Sequence, residues 1–315
     1  VLSDGSRKIY EIVNLEFLCI PIALFGIVSN IINITIFYKQ GLRYTVNIGL
    51  TGLAISDLGS LVVIEWYNVC FNPFFAESGI PLVLFEFQHL TAGVPHLCFT
   101  RITGWITVYI TAERCLCIVT PLRVKRLLTP ARSALIICSI YAFTALTLLP
   151  EYMSMYIDWK FYPESNRTLL GLIQNSSKQN LNGLTSFLYG VYMLVVFAAV
   201  GLLTAILVAK LKRKSLWRRA AASDANQSGA VSSRDAKAMR VVISIAISMI
   251  VLFTPSVLIT IYTFVEPEFG ISGALSNVFL VAWSFALLFE VVNSSFTIVL
   301  YFFMSSKFRK CFHEL

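Results

Sequence analysis

Several side chains that carry or can carry charge stand in stretches otherwise built from apolar residues: Asp57, Glu65, His96, Arg101, Glu113, Arg114 and Glu290. Asp57 closes the run Leu53-Ala-Ile-Ser-Asp57. A lone carboxylate in such a setting is costly unless a cation, a proton or a hydrogen-bonding neighbour compensates it. Arg101 poses the same problem with the opposite sign, and calls for an internal acid or a ligand anion; Glu65 and Glu290 are both candidates by depth. An imidazole such as that of His96 can exchange a proton near neutral pH, so binding beside it is expected to vary between about pH 5 and 8. Glu113 and Arg114 sit side by side where an apolar run meets a basic loop, and a plain helix-capping charge pair would look the same. The chain shows no metal-ligand cluster, nucleophile–base pair or phosphate loop, so enzymatic chemistry has no support. What these residues can do is pair, bind ions and exchange protons.

The elements that position them follow from composition. The chain has 315 residues, 57% of them hydrophobic and 13% charged, with mean hydropathy +0.75, outside the range of soluble domains. About 20 apolar residues of helix cross a roughly 30 Å hydrocarbon layer, and seven stretches qualify. The expected fold is an all-α membrane protein, a single seven-transmembrane helix bundle over 1–315. Its spans fall near 14–38, 44–70, 83–118, 132–150, 183–212, 235–265 and 272–303. A short amphipathic eighth helix is expected near 305–314.

Charge bias orients the bundle. The loops and tail on the Arg114 side hold 18 Lys and Arg residues, at 39–43, 123–132, 210–240 and 307–310, against 5 on the other side, Arg7, Lys8, Lys160, Arg167 and Lys178. The N-terminus is therefore expected outside and the C-terminus in the cytoplasm. The net charge of +8 reports topology and gives no reason to expect nucleic acid. The lipid bilayer is the partner it implies. Sequons at Asn166 and Asn175 fall in the large outer loop and are candidate glycosylation sites, while those at Asn33, Asn226 and Asn293 are expected unused. The first span is expected to direct insertion, unless the N-terminus is trimmed.

Within the third span, the 100° helical step places residues by face. Thr103 lies about 20° from the face of Arg114 and His96 lies on it directly, whereas Arg101 points about 140° away. In the sixth span Pro255 removes one backbone hydrogen bond and kinks the helix. Asp235 precedes it by about 30 Å of helix, one membrane thickness, which brings it within reach of Arg114.

Glu113-Arg114 followed by Pro121-Leu122, the Leu53-Ala-Ile-Ser-Asp57 run, Asn30 in the first span and Asn293 to Tyr301 in the last resemble rhodopsin-like (class A) G-protein-coupled receptors. The runs PHLCFTRITGWITVYITAERCLCIVTPLRVK, DWKFYPESNRTLLGL and EVVNSSFTIVLYFFMSSKFRK are similar to gastropod mollusc chemosensory receptors in particular. The resemblance implies a plasma-membrane receptor that binds an external, polar cue and activates a heterotrimeric G protein. It implies that Arg114 is held by Glu113 and Asp235 at rest, and that Leu122 enters the G protein on activation, with Tyr301 part of the same switch. Asp57, Thr103, Asn293 and Ser294 fall at the positions of a sodium site, and their oxygens suit a hard cation; a water-filled polar cluster is the alternative. No other cofactor is implied. The ligand cavity lies above Phe253, reached by Glu65, Trp66, His96, Thr100, Arg101, Thr260, Trp283 and Glu290. Cys311 is a palmitoylation candidate.

Several positions depart from the pattern. His89 stands where these receptors carry a cysteine, and residues 151–182 contain none, so both halves of the usual outer disulfide are missing. Phe253 replaces a tryptophan, and Thr297-Ile298 stand for the Asn-Pro of the last span. A FMRFamide-type neuropeptide receptor is the nearest alternative. A seven-span ligand-gated odorant channel would carry its N-terminus inside, against the charge bias. An opsin would need a lysine between Phe269 and Ser306, where none occurs.

Overall fold

The computed structural model describes residues 2–76, 78–120, 124, 126–163, 166–175, 179–221, 229–271 and 273–315. Within these, the side chains of 73, 76, 179–183, 185–186, 214–221 and 229–238 are outside the description. Seven helices are long and apolar enough to cross a membrane. They are α1 (Asp4–Gln40), α2 (Thr45–Phe71), α3 (Leu84–Val119), α4 (Pro130–Ser154), α5 (Gln179–Ala221), α6 (Gly229–Val265) and α7 (Ser276–Met304). The short helix α8 (Ser306–His313) follows. The seven-helix bundle that composition and span length call for is the fold that forms.

Local chemistry marks the helix ends. The Thr129 hydroxyl caps α4 by accepting from Arg132 N at 3.4 Å, with Pro130 in the first turn. Gly41, at φ +92°, stops α1 in a conformation that side chains with a Cβ rarely adopt. The Ser305 hydroxyl accepts from Phe308 N at 3.2 Å and starts α8. Helix α1 passes through a π-helical segment, Ile12–Cys19, and α3 through another, His89–Gly93. Pro255 lies inside α6, and α7 changes register at Phe296.

Helix α3 runs through the bundle and packs on α2, α4, α5 and α6. A methyl group at Gly49 would stand 2.8 Å from Ile110 Cγ1, and one at Gly104 would stand 2.8 Å from Val196 Cγ1. These two glycines let α2 and α5 approach α3 closely, as small residues do in membrane bundles. Apolar side chains fill the core and also cover the outside, and polar groups are buried among them. Phe17, Leu202, Val251 and Phe303 lie on the outer surface, while Asn30, Ser56, Asp57, Thr103 and Glu113 are buried. With no water available in a bilayer, the interior polar groups must find one another.

The loop after α4 is not irregular. Strands β1 (Met155–Tyr162) and β2 (Arg167–Gln174) form an antiparallel hairpin, paired from Met155↔Gln174 to Tyr162↔Arg167. The aromatic and β-branched residues of Met-Tyr-Ile-Asp-Trp-Lys-Phe-Tyr favour strand, and Asn166 takes φ 51° in the turn, a value asparagine tolerates. This adds a two-stranded sheet to a bundle expected to be all helix.

The hairpin is tied to the start of α3 without a covalent bond. Val83 N donates to Leu170 O and Leu170 N donates to Pro81 O, both at 2.9 Å. Glu86 Oε2 accepts from the Tyr162 hydroxyl and from Leu172 N, each at 2.7 Å. His89 Nε2 lies 3.1 Å from Glu151 Oε1, so the residue at the missing cysteine position still bridges to the end of α4. No disulfide forms among the described residues. Partial burial, and then the hydrogen bond to Glu86, push the Tyr162 phenol up to about 12 from its ordinary 10. A raised folded-state value means that the tie is fully present below about pH 10 and is lost as pH climbs through about 12. Hydrogen bonds to a charged acceptor contribute about 1.5–3 kcal/mol each. Glu86→Ala should therefore raise amide exchange across residues 167–174 by at least about tenfold. Protection unchanged from wild type would show that the Glu86 tie does not hold the hairpin.

Candidate functional site

Three polar layers lie along α3. At its basic end, Glu113 Oε1 accepts from Arg114 Nη2 at 2.9 Å and from the Thr45 hydroxyl of α2. Glu113 is only 2% exposed, so the pair sits at the edge of the apolar interior. Its Oε2 and the Arg114 Nε have no partner among the described residues. Tyr301 is buried here, with Phe37 edge-on at 5.1 Å and Phe308 at 5.4 Å. Asp235 lies on α6 with its side chain outside the described residues, and Leu122 lies outside them altogether. Thr45 gives no sequence signal, because a threonine at a helix start reads as part of the turn.

The second layer surrounds Asp57, which is buried. Its Oδ1 accepts from the Thr103 hydroxyl at 2.9 Å and the Ser294 hydroxyl at 3.1 Å. Ser56 Oγ lies 2.8 Å from Thr103 Oγ1. Asp57 Oδ2 has no hydrogen-bond partner among the described residues. An unpartnered carboxylate oxygen beside hydroxyl oxygens fits a hard cation such as sodium. Asn293 is the exception among the expected ligands: its Oδ1 accepts from Ser248 of α6 at 3.3 Å and it makes no bond to Asp57. Its neighbour Ser294 takes the inward position instead. Asn30 donates to the Ser294 carbonyl at 2.8 Å and to Gly26 O at 2.9 Å, which locks α1 onto α7 behind the site.

The third layer joins four helices through two side chains. His96 Nδ1 lies 3.0 Å from Ser60 Oγ of α2, and its Nε2 lies 3.1 Å from Glu290 Oε2 of α7. Ser256 of α6, directly after Pro255, donates to Glu290 Oε1 at 2.5 Å. Sequence reasoning missed both serines, since a serine in a helix ordinarily bonds its own backbone.

Arg101 pairs with neither Glu65 nor Glu290. It points from the other face of α3 toward α4 and α5, as its 140° offset requires. Its Nη1 lies 3.4 Å from the Thr147 hydroxyl, and its guanidinium stands over Tyr189 at 4.6 Å and Tyr192 at 5.6 Å. Thr100, Arg101, Tyr189, Tyr192, Phe253 and Glu290 line a cavity of about 30 Å³ between α3, α5, α6 and α7. That is far smaller than the few hundred Å³ of a formed small-molecule site.

The other expected ligand residues do not line this cavity. Trp66 donates to Thr91 at 3.0 Å. Trp283 packs against Phe279, with ring centroids 6.2 Å apart. The Thr260 hydroxyl donates to Ser256 O at 2.8 Å, and the buried Oε1 of Glu65 has no partner among the described residues.

The family model for serpentine type 7TM GPCR chemoreceptor Srw matches residues 16–315. The chain belongs to this family. A search of curated proteins finds no match. Membership makes the chain a multi-pass membrane chemoreceptor of the G-protein-coupled class, and a receptor is not an enzyme. In this Srw chemoreceptor the buried polar groups form layers linking helices, with Arg101 held apart on the opposite face of α3.

Proposed function

We propose that this Srw chemoreceptor binds an external polar cue from the hairpin end and activates a heterotrimeric G protein at the Arg114 end. It does so in the plasma membrane, with its N-terminus outside and its C-terminus in the cytoplasm. The observation that carries this reading is the part-buried Glu113–Arg114 pair, bonded to one another at 2.9 Å, with Glu113 also tied to α2 through Thr45. A charge set held this way at the basic end is suited to opening toward a partner. The finer kinship with gastropod chemosensory receptors rests on the runs around Arg114, Trp159 and Tyr301. Asn166, exposed in the hairpin turn, and Asn175 would carry glycans on the outer side, and Cys311 of α8 an acyl chain on the inner one.

The test is a panel of amino acids, organic acids, amines and short amidated peptides, applied to cells expressing the chain, with calcium and cAMP readouts. A response that disappears in Arg114→Ala at matched surface expression is the expected result. Silence to the whole panel, together with basal activity no higher than in untransfected cells, would count against coupling.

Sodium is expected at Asp57, held by that carboxylate with Thr103, Ser294 and Ser56, its charge replacing the missing partner of Oδ2. A ligand at ten times its Kd stabilises the folded state by about 1.4 kcal/mol, worth about 2 °C in a chain this size. Replacing sodium by choline at constant chloride should lower Tm by that amount in wild type and leave Asp57→Asn unmoved. If choline and sodium give the same wild-type Tm, the cluster holds water alone.

A further inference from the structure

Of the two partners Arg101 calls for, an internal acid or a ligand anion, the fold supplies no acid. Arg101 is only 7% exposed, and no carboxylate lies within 4 Å of its guanidinium among the described residues. The nearby acids are engaged elsewhere. Both oxygens of Glu290 are bonded, one to Ser256 and one to His96. Glu151 faces His89 at 3.1 Å and reaches Arg101 only through its field. Tyr189 and Tyr192 take the flat face of the guanidinium, at 4.6 and 5.6 Å. A cation–π contact contributes about 2 kcal/mol when desolvated, less than the several kcal/mol that burying an ion costs.

The rings use the face of the group and leave its N–H donors, which lie in the plane, for an acceptor. The Thr147 hydroxyl at 3.4 Å takes up one of them weakly. Nε is buried with no acceptor among the described residues. The cavity that Arg101 lines runs past Thr100 and Tyr192. The cavity is small, with room for a compact group beside the guanidinium. Glu290 in the wall sets a limit on charge: one negative charge is matched by Arg101, and a second would meet the acid. We propose that this cavity is a subsite for a compact monoanion, a carboxylate group or a halide, held in plane by Arg101 and walled by Tyr189 and Tyr192. As the place where the cue's anionic group docks, it rests on the receptor reading above; as an anion site it does not.

The experiment uses the purified full chain in lipid nanodiscs and follows thermal unfolding at fixed sodium and ionic strength. Sodium methanesulfonate, a monoanion whose sulfonate oxygens accept hydrogen bonds only weakly, is replaced stepwise by sodium chloride or by sodium acetate. The expected result is a saturable rise of about 2 °C or more in wild type, absent in Arg101→Gln. In Arg101→Lys, which keeps the charge but loses the planar fork, the rise should need at least about fivefold more anion. A rise with acetate alone identifies the docking group as a carboxylate, and a rise with chloride as well identifies a general monoanion site. No rise with either anion, or the same rise in Arg101→Gln or at unchanged concentration in Arg101→Lys, overturns the proposal. Because unfolding is read and signalling is not, a chain that fails to activate a G protein would still report on the anion. Conversely, a signalling receptor without an anion shift would refute only the subsite.

Discussion

Glu113→Gln should raise basal G-protein activation about tenfold. In the structure the Glu113 carboxylate is the acceptor that holds both Arg114 and Thr45, and it is almost fully buried. Removing one partner of a buried ion pair costs about 3–5 kcal/mol. Glutamine keeps an oxygen for the same two donors, so only part of that cost applies to the resting arrangement. If the arrangement that meets the G protein frees Arg114 from Glu113, the substitution penalises the resting arrangement alone. A differential of about 1.4 kcal/mol is a tenfold change in the ratio of the two. Thr45→Val should act in the same direction and more weakly, since it removes a neutral donor. Asp235→Ala is expected to add to it, on the reading that α6 supplies a second acid. Nucleotide exchange on a co-expressed G protein, at matched surface expression, measures the effect. Basal exchange at the wild-type level in both Glu113→Gln and Thr45→Val would mean that this contact does not restrain the receptor.

The largest effect on stability should come from Glu290→Ala. That change removes the acceptor of Ser256 and the partner of His96 at once, unlinking α7 from α3 and α6 beside Pro255. An imidazole and a hydroxyl are then left buried without their bonds, at about 1–3 kcal/mol each. The expected loss is about 4 kcal/mol, or about 6 °C in Tm for a chain of this length. Glu290→Gln keeps one acceptor for Ser256 and should lose less than half as much. Ser60→Ala touches only the far side of His96 and should cost about 1 kcal/mol. Unfolding of the three variants in nanodiscs orders them. If Glu290→Ala unfolds within about 2 °C of wild type, the layer is not a structural clamp, and Glu290 would be free to meet ligand.

The amino-acid sequence by itself determined the number of helices and which side chains share a face of α3. Both follow from local rules: about 20 apolar residues per span and a 100° step per residue. Those rules placed Thr103 and His96 on the face that meets α2 and α7, and turned Arg101 away from it. They also put Glu290 deep in α7, but depth alone left it open to Arg101.

What only the tertiary structure decided is who meets whom. Glu290 stands 194 residues from His96, and that contact depends on the rotation of two helices about their own axes, which no local periodicity records. The same rotation gave Asp57 the hydroxyl of Ser294 and sent Asn293 to Ser248. It also brought Ser60 and Ser256, silent in the sequence, onto His96 and Glu290. The absence of cysteine in residues 151–182 was legible, but its replacement was not. A carboxylate at Glu86 becomes a clamp only when a hairpin folds back over the start of α3 and presents Tyr162 and Leu172 N to it. The size of the cavity at Arg101 was likewise out of reach, because it depends on two tyrosines of α5 closing over the guanidinium. Periodicity is a property of one helix, whereas these partners are set by the packing of several.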